Sequence, residues 1–264
     1  MTFDTLRFER RGATAWIELN RPQAMNSLSP SMLAELGAAL DQVEQDRSVR
    51  CLVLTGSGSA FCAGADLKAV KDMAGQADPE AATRAFLAAA NALLSRIERL
   101  PLPVVAAVNG LALAGGLEIV LVCDLVVAAE QARFGDAHAK YGLIPGWGGS
   151  VRLPRKVGPN RAKQLMFTAE HLPATTLQAW GLVNQVVPAD ELQAAVEALC
   201  ARIIDKSPLG LRRMKQLVDD GLQQPIDVAL RAEAAMVDAH NHSHDRSEGL
   251  AAFAARRTPH YNGT

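Results

Sequence analysis

Three features of this 264-residue chain predict an α/β fold with a largely parallel sheet. Short apolar runs at 51–55, 104–108 and 124–128 alternate with segments of helical periodicity. The links between them are short, which implies right-handed crossovers between parallel strands. Beyond Pro159 the strand signals nearly vanish, apart from 182–187, so the chain ends in helices.

Taken in order, residues 3–9 and 13–19 read as two strands turning at Arg11-Gly12, and Asn20-Arg21-Pro22 stops the second. Ser29 is a helix N-cap followed by proline at the first helical position. Behind it Leu33, Leu36, Leu40 and Val43 recur at helical spacing, which predicts a helix over 30–46. The strand at 51–55 runs into a glycine- and alanine-rich loop, Gly56–Lys68, that leads towards a helix. A polar, alanine-rich stretch at roughly 70–80 reads as a mobile loop, and 80–99 as a long helix. The strand at 104–108 ends in Asn109-Gly110, and a helix opens near Gly116. Later, Leu192, Val196, Leu199 and Ile203 mark one helix, while Pro208, Pro225 and His244-Asp245 precede others. The expected division is a core over 1–190 and a helical region over 191–264 that packs on the core or on a neighbouring subunit.

A hydrophobic fraction of 49% and a charged fraction of 21% describe a globular protein. A formal charge of −1 offers no electrostatic reason to expect nucleic acid or an anionic membrane as partner. No apolar run reaches spanning length and the first residues lack a signal-peptide core, so a cytoplasmic location is expected. Cys51, Cys62, Cys123 and Cys200 show no CxxC spacing and read as free thiols rather than a disulfide frame or a metal site. Gly56-Ser57-Gly58 lacks the third glycine of a dinucleotide fingerprint, and phosphate-loop, serine-elbow and HExxH patterns do not occur. His240, His242 and His244 lie in a polar stretch and read as a solvated turn rather than metal ligands.

The chemistry concentrates in NGLALAGGLE, Asn109–Glu118. Two glycines let backbone approach a ligand, and a helix beginning there aims free N–H groups and a partial positive charge at it. Glu118 falls in the first turn among apolar neighbours. Backbone donors beside a desolvated carboxylate suit a reaction in which an oxyanion forms while a proton moves.

Together with FCAGADLK (Phe61–Lys68) and FGDAHAKYGLIPGWGG (Phe134–Gly149), this run resembles the signature regions of the enoyl-CoA hydratase/isomerase, or crotonase, superfamily. ELNRPQAMNSLS, AWGLVNQVV, SPLGLRRMKQ and EGLAAFAARR extend the resemblance, in order, over essentially the whole chain. The resemblance implies a crotonase-like spiral of ββα units with a C-terminal helical trimerisation region. It implies an acyl-CoA thioester as ligand, no cofactor beyond the coenzyme A of the substrate, and a homotrimer or dimer of trimers. By the same resemblance the amides of Ala65 and Gly115 form the oxyanion hole. Gln23, Ala24, Met25, Ala63, Asp66, Leu67, Lys68 and Gly116 line the substrate site, with Lys68 reaching a CoA phosphate or solvent.

Glu118 matches the first of two glutamates that hydratases of this family use, but the second position holds His138. Asp136 lies two residues earlier, and the spacing to Gly142 and Pro145 favours His138 as the counterpart. Histidine does acid–base work near neutrality, so hydration of a trans-2-enoyl-CoA to a 3-hydroxyacyl-CoA remains the leading expectation. The alternatives are double-bond isomerisation by Glu118, hydrolysis of a thioester or carbon–carbon bond with His138 activating water, and acyl-CoA binding without catalysis.

Overall fold

The structure is a computed structural model describing residues 2–264. Its opening hairpin joins β1 (Leu6–Arg11) to β2 (Thr14–Leu19), antiparallel with Arg11 opposite Thr14. The first strand starts at Leu6 rather than at residue 3 because the Asp4 and Thr5 amides donate to the Glu35 carboxylate instead. Glu35 lies on α1 (Pro30–Gln45), where Met32, Leu33, Leu36, Leu40 and Val43 are buried and the Ser29 hydroxyl caps the Met32 amide.

From there each turn of the chain contributes one strand to each of two sheets, followed by a helix. The first turn holds β3 (Cys51–Gly56), β4 (Ala60–Cys62), α2 (Leu67–Ala74) and α3 (Pro79–Glu98). The second holds β5 (Val104–Val108), β6 (Leu111–Leu113) and α4 (Gly115–Leu121). The third holds β7 (Leu125–Ala129), β8 (Arg133–Gly135), α5 (Gly149–Val157) and α6 (Pro159–Thr168). After them come β9 (Leu172–Pro173), α7 (Ala174–Ala179) and β10 (Gln185–Val187). The large sheet has the order β1-β2-β3-β5-β7-β10, parallel from β2 onward, and the small sheet the order β4-β6-β8-β9. This is the expected ββα spiral.

Two local readings are corrected. The stretch at 70–80 is largely helical: Asp66 caps α2 by accepting from the Lys68 and Ala69 amides, Met73 is buried, and only four residues separate α2 from α3. The second is that strands β4 and β6 lie where loops were read, and β8 where no element was read. At three residues each, they are too short for a periodic signal and are held by pairing to one another.

The C-terminal region holds α8 (Leu192–Ile204), α9 (Pro208–Gly221), α10 (Ile226–Asn241) and α11 (His244–Ala255). Helix α8 buries Leu192, Val196 and Cys200 against Trp16, Val53, Val105 and Val127 of the large sheet. There Cys200 Sγ lies 3.7 Å from Cys51 Sγ, so two thiols far apart in sequence meet, and all four cysteines are free and buried. Helices α9 and α10 and the turn between them leave Met214, Val218, Leu222, Ile226 and Leu230 exposed. Among the described residues, no helix is long and apolar enough to cross a membrane.

Candidate active site

The small sheet brings the candidate residues together. β4 pairs in parallel with β6 (Ala60 with Leu111, Cys62 with Ala112), and β6 with β8 (Leu113 with Gly135). Adjacent strands lie about 4.8 Å apart, so whatever leaves their carboxyl ends is brought together. β4 leads into Ala63–Asp66, β6 into Gly115–Glu118, and β8 into Asp136–His138. Residues separated by tens of positions in sequence thus meet at one end of the small sheet.

Glycines at the β4–α4 contact let backbone pass backbone. A Cβ on Gly64 would lie 3.0 Å from the Gly115 nitrogen, and one on Gly116 would lie 2.0 Å from the Cys62 carbonyl oxygen. The loop carrying Ala65 is held on its other side by 22–28: the Ala63 amide donates to Met25 (3.0 Å), Leu28 to Gly64 (2.7 Å) and Asp66 to Leu28 (2.9 Å). Asn26, wholly buried, donates from Nδ2 to the carbonyls of Ser57 and Ala60 and locks this loop to β4. The amide of Ala65 has no protein acceptor among the described residues. Gly115 is the first residue of α4, where the amide has no partner inside the helix.

Before Gly115, Ala114 has φ 49° and ψ −117°, a conformation natural to glycine. Its amide donates to Gly135 and its carbonyl accepts from Glu118, so the neighbours hold it there. A side chain in such a region costs about 1–3 kcal/mol. Ala114→Gly is therefore expected to stabilise the fold by about 1 kcal/mol, net of the extra freedom glycine gives the unfolded chain. Thermal unfolding should show Tm rising by about 2–4 °C.

Glu118 is 2% exposed, and its Oε1 accepts two backbone bonds of 2.8 Å, from Trp147 and Gly149. Oε2 is buried with no partner among the described residues. Burial raises the pKa of this carboxyl, and the nearby Asp136 charge adds to the rise. The two amide bonds and His138 oppose them without cancelling them. Helix α3 holds the loop supplying those amides. Asn91 donates to the Gly146 carbonyl (2.7 Å), Phe86 meets the Trp147 ring edge-to-face, and Glu98 accepts from Nε and Nη2 of Arg152, whose Nη1 donates to the Trp147 carbonyl.

His138 opens a short 3₁₀ turn, His138–Tyr141, which closes at Gly142 with φ 66°. Its Nδ1 lies 2.9 Å from Oδ1 of Asp136, a carboxylate 2% exposed, and this bond assigns the proton to Nδ1 and leaves Nε2 free. Burial pulls the His138 pKa down, but the Asp136 bond and the charges of Asp136 and Glu118 outweigh it and leave it raised. The Cys62 thiol, buried behind the loop, is pushed up to about 12 by burial and is no nucleophile at neutral pH.

The expected substrate-site residues are brought to the same rim with different duties. Gln23 and Met25 are exposed and Ala24 and Ala63 half-buried beside the Ala65 loop, with Leu67 and Lys68 exposed on the first turn of α2. Asp66 is committed to capping α2 and to an ion pair with Arg21 (2.8 Å). Gly116 serves the α4–β4 contact. Sequence reading missed Arg21, Asn26, Asp136 as the partner of His138, and the amides of Trp147 and Gly149. The Pro-Gly-Trp-Gly-Gly run before a helix was the available signal for the last two.

A family model described as enoyl-CoA hydratase/isomerase matches residues 9–264. The chain is 37% identical to the crotonyl-CoA hydratase of Syntrophomonas wolfei subsp. wolfei, covering 99% of each. It is 36% identical to the short-chain-enoyl-CoA hydratase of Clostridium acetobutylicum, covering 97% of each. The crystal structure of the enoyl-CoA hydratase from Bacillus anthracis superposes with a TM-score of 0.93 at 37% identity, covering 99% of this chain and 100% of that one.

Proposed function

The chain belongs to the enoyl-CoA hydratase/isomerase (crotonase) family, and from this premise we infer that it hydrates trans-2-enoyl-CoA to 3-hydroxyacyl-CoA. The observation that carries the reading is the meeting of two unoccupied amides, a buried carboxylate and a carboxylate-held histidine at the ends of three parallel strands. The amides of Ala65 and Gly115 hold the thioester oxygen as it gains charge, each such donor being worth about 10²–10³ in rate. The Glu118 carboxylate takes a proton from water as its oxygen adds to Cβ. The electron pair moves onto the thioester oxygen, and the His138 imidazolium gives a proton to Cα as the carbonyl re-forms. After product leaves, the proton on Glu118 returns to His138 and restores the pair.

Gln23, Ala24, Met25, Ala63, Leu67 and Lys68 are proposed to seat the CoA moiety, which the substrate itself brings. The region 191–264 is proposed to join copies into a trimer or a dimer of trimers; the exposed apolar side chains of α9 and α10 support this. Loss of enoyl thioester absorbance with crotonyl-CoA tests the activity, and no loss with crotonyl-CoA or longer enoyl-CoAs overturns it. The Asp136–His138 pair favours one second reading, thioester hydrolysis by a His-activated water. Label from heavy-oxygen water in a free acid, rather than in a 3-hydroxyacyl-CoA, would support that reading.

The charge of Asp136 raises the pKa of both His138 and Glu118. Asp136→Asn is accordingly expected to move both limbs of the kcat/KM–pH profile to lower pH: Glu118 ionises earlier, and His138 loses its proton earlier. The maximum should fall by about 10², the order of one mispositioned proton-transfer group. Limbs that stay in place, at any rate, would remove Asp136 from this role.

A further inference from the structure

We propose that Trp147 sets the length of acyl chain the protein accepts, its indole and the Phe86 ring together closing the far end of the acyl pocket. The proposal rests on the hydratase reading and adds the substrate class: short enoyl thioesters.

The six-membered ring of Trp147 lies directly on Gly115. A Cβ on that glycine would be 2.0 Å from Cζ3, 2.6 Å from Cε3 and 3.0 Å from Cη2. An acyl group whose thioester oxygen sits on the Gly115 amide therefore runs alongside the indole within its first few carbons. The ring is not free to move aside with its loop. The Trp147 amide is bonded to Glu118, its carbonyl to Arg152, and the preceding Gly146 carbonyl to Asn91. Trp147 is 3% exposed, and Phe86 meets it at a centroid distance of 5.7 Å and an interplanar angle of 73°.

Phe86 also faces the other way. It lines an apolar groove of about 620 Å³ between α1 and α3, with Leu33, Met73, Leu93 and a row of alanines. The two aromatic rings thus stand as a partition between the Gly115 backbone and this apolar groove. Under this proposal a four-carbon acyl group lies along the near side of the partition, whereas a chain of about eight carbons would have to pass it. One methylene misplaced in an apolar pocket is worth about 10–200-fold in discrimination, so a fixed wall gives a steep cut-off.

The test uses the full chain and trans-2-enoyl-CoAs of increasing length. For the wild type, kcat/KM is expected to fall at least about tenfold from crotonyl-CoA to octenoyl-CoA. Trp147→Ala is expected to raise the octenoyl-to-crotonyl ratio by about tenfold or more, and the ratio corrects for any general loss of activity. Phe86→Ala opens the same partition from the groove side and carries the test if Trp147→Ala does not fold. Calorimetric affinities for butyryl-CoA and octanoyl-CoA give the same comparison without turnover. A wild type that handles both lengths alike, or a ratio unchanged in the folded variants, overturns the proposal. Absence of hydration at every length, with the length preference intact in binding, would instead overturn the hydratase reading and leave this one standing.

Discussion

Glu118→Gln is expected to lower kcat by about 10²–10⁴ while leaving the protein folded. The substitution separates the structural contact Glu118 makes from the proton transfer proposed for it. Its Oε1 accepts the amides of Trp147 and Gly149, and the glutamine oxygen can accept both. What glutamine cannot do is take a proton from water. Glu118→Ala would confuse the issue, because it strands two buried donors at about 1–3 kcal/mol each. Crotonyl-CoA hydration and circular dichroism, measured on one preparation, decide the matter. Turnover within about tenfold of wild type, on a native spectrum, would remove Glu118 from the chemistry.

Gly116→Ala should damage stability and rate together. The added Cβ would lie 2.0 Å from the Cys62 oxygen, 2.7 Å from the Cys62 carbonyl carbon and 2.9 Å from its Cβ. Two of those atoms are backbone in the paired strand β4, so no side-chain rotation relieves the overlap, and α4 and β4 must separate. Overpacking of this kind costs about 3 kcal/mol. Gly115 is the residue before the substitution and Ala65 follows Cys62 by three positions, so the two amides proposed to hold the thioester oxygen are carried apart. Displacement of about 1 Å at a reacting centre costs about 10² in rate. Denaturant midpoint and kcat should therefore fall together, and a variant that unfolds normally with full activity would contradict the contact.

What could be read from the sequence depended on how far each signal extends along the chain. Helix α1 was legible because Leu33, Leu36, Leu40 and Val43 repeat over three turns. β3 and β5 were legible as unbroken apolar runs buried between layers. β4, β6 and β8 were not, because three residues carry no period and these strands exist through register with partners about fifty or about twenty positions away. Helix α2 was hidden by its alanine and polar content, although Asp66 was a usable start signal. Within the site, Glu118 and His138 stood out because their side chains belong to recognisable runs. The donors to Glu118 did not, since an amide bears no residue signature. The bond between Asp136 and His138 spans only two residues, yet it depends on a turn that the sequence leaves undetermined.

The two sheets differ in a way that bears on how the protein ages under stress. The large sheet pairs β1–β2 and β2–β3 over six residues each, whereas the small one joins β4, β6, β8 and β9 through runs of two or three. Much of the small sheet's cohesion rests on amide side chains, Asn26 and Asn109, that reach the Ala60 carbonyl. Short ladders open by local fluctuation well below the free energy of global unfolding. Heat inactivation is therefore expected to follow the loosening of β4, β6 and β8 and to precede the loss of helix and sheet that optical melting records.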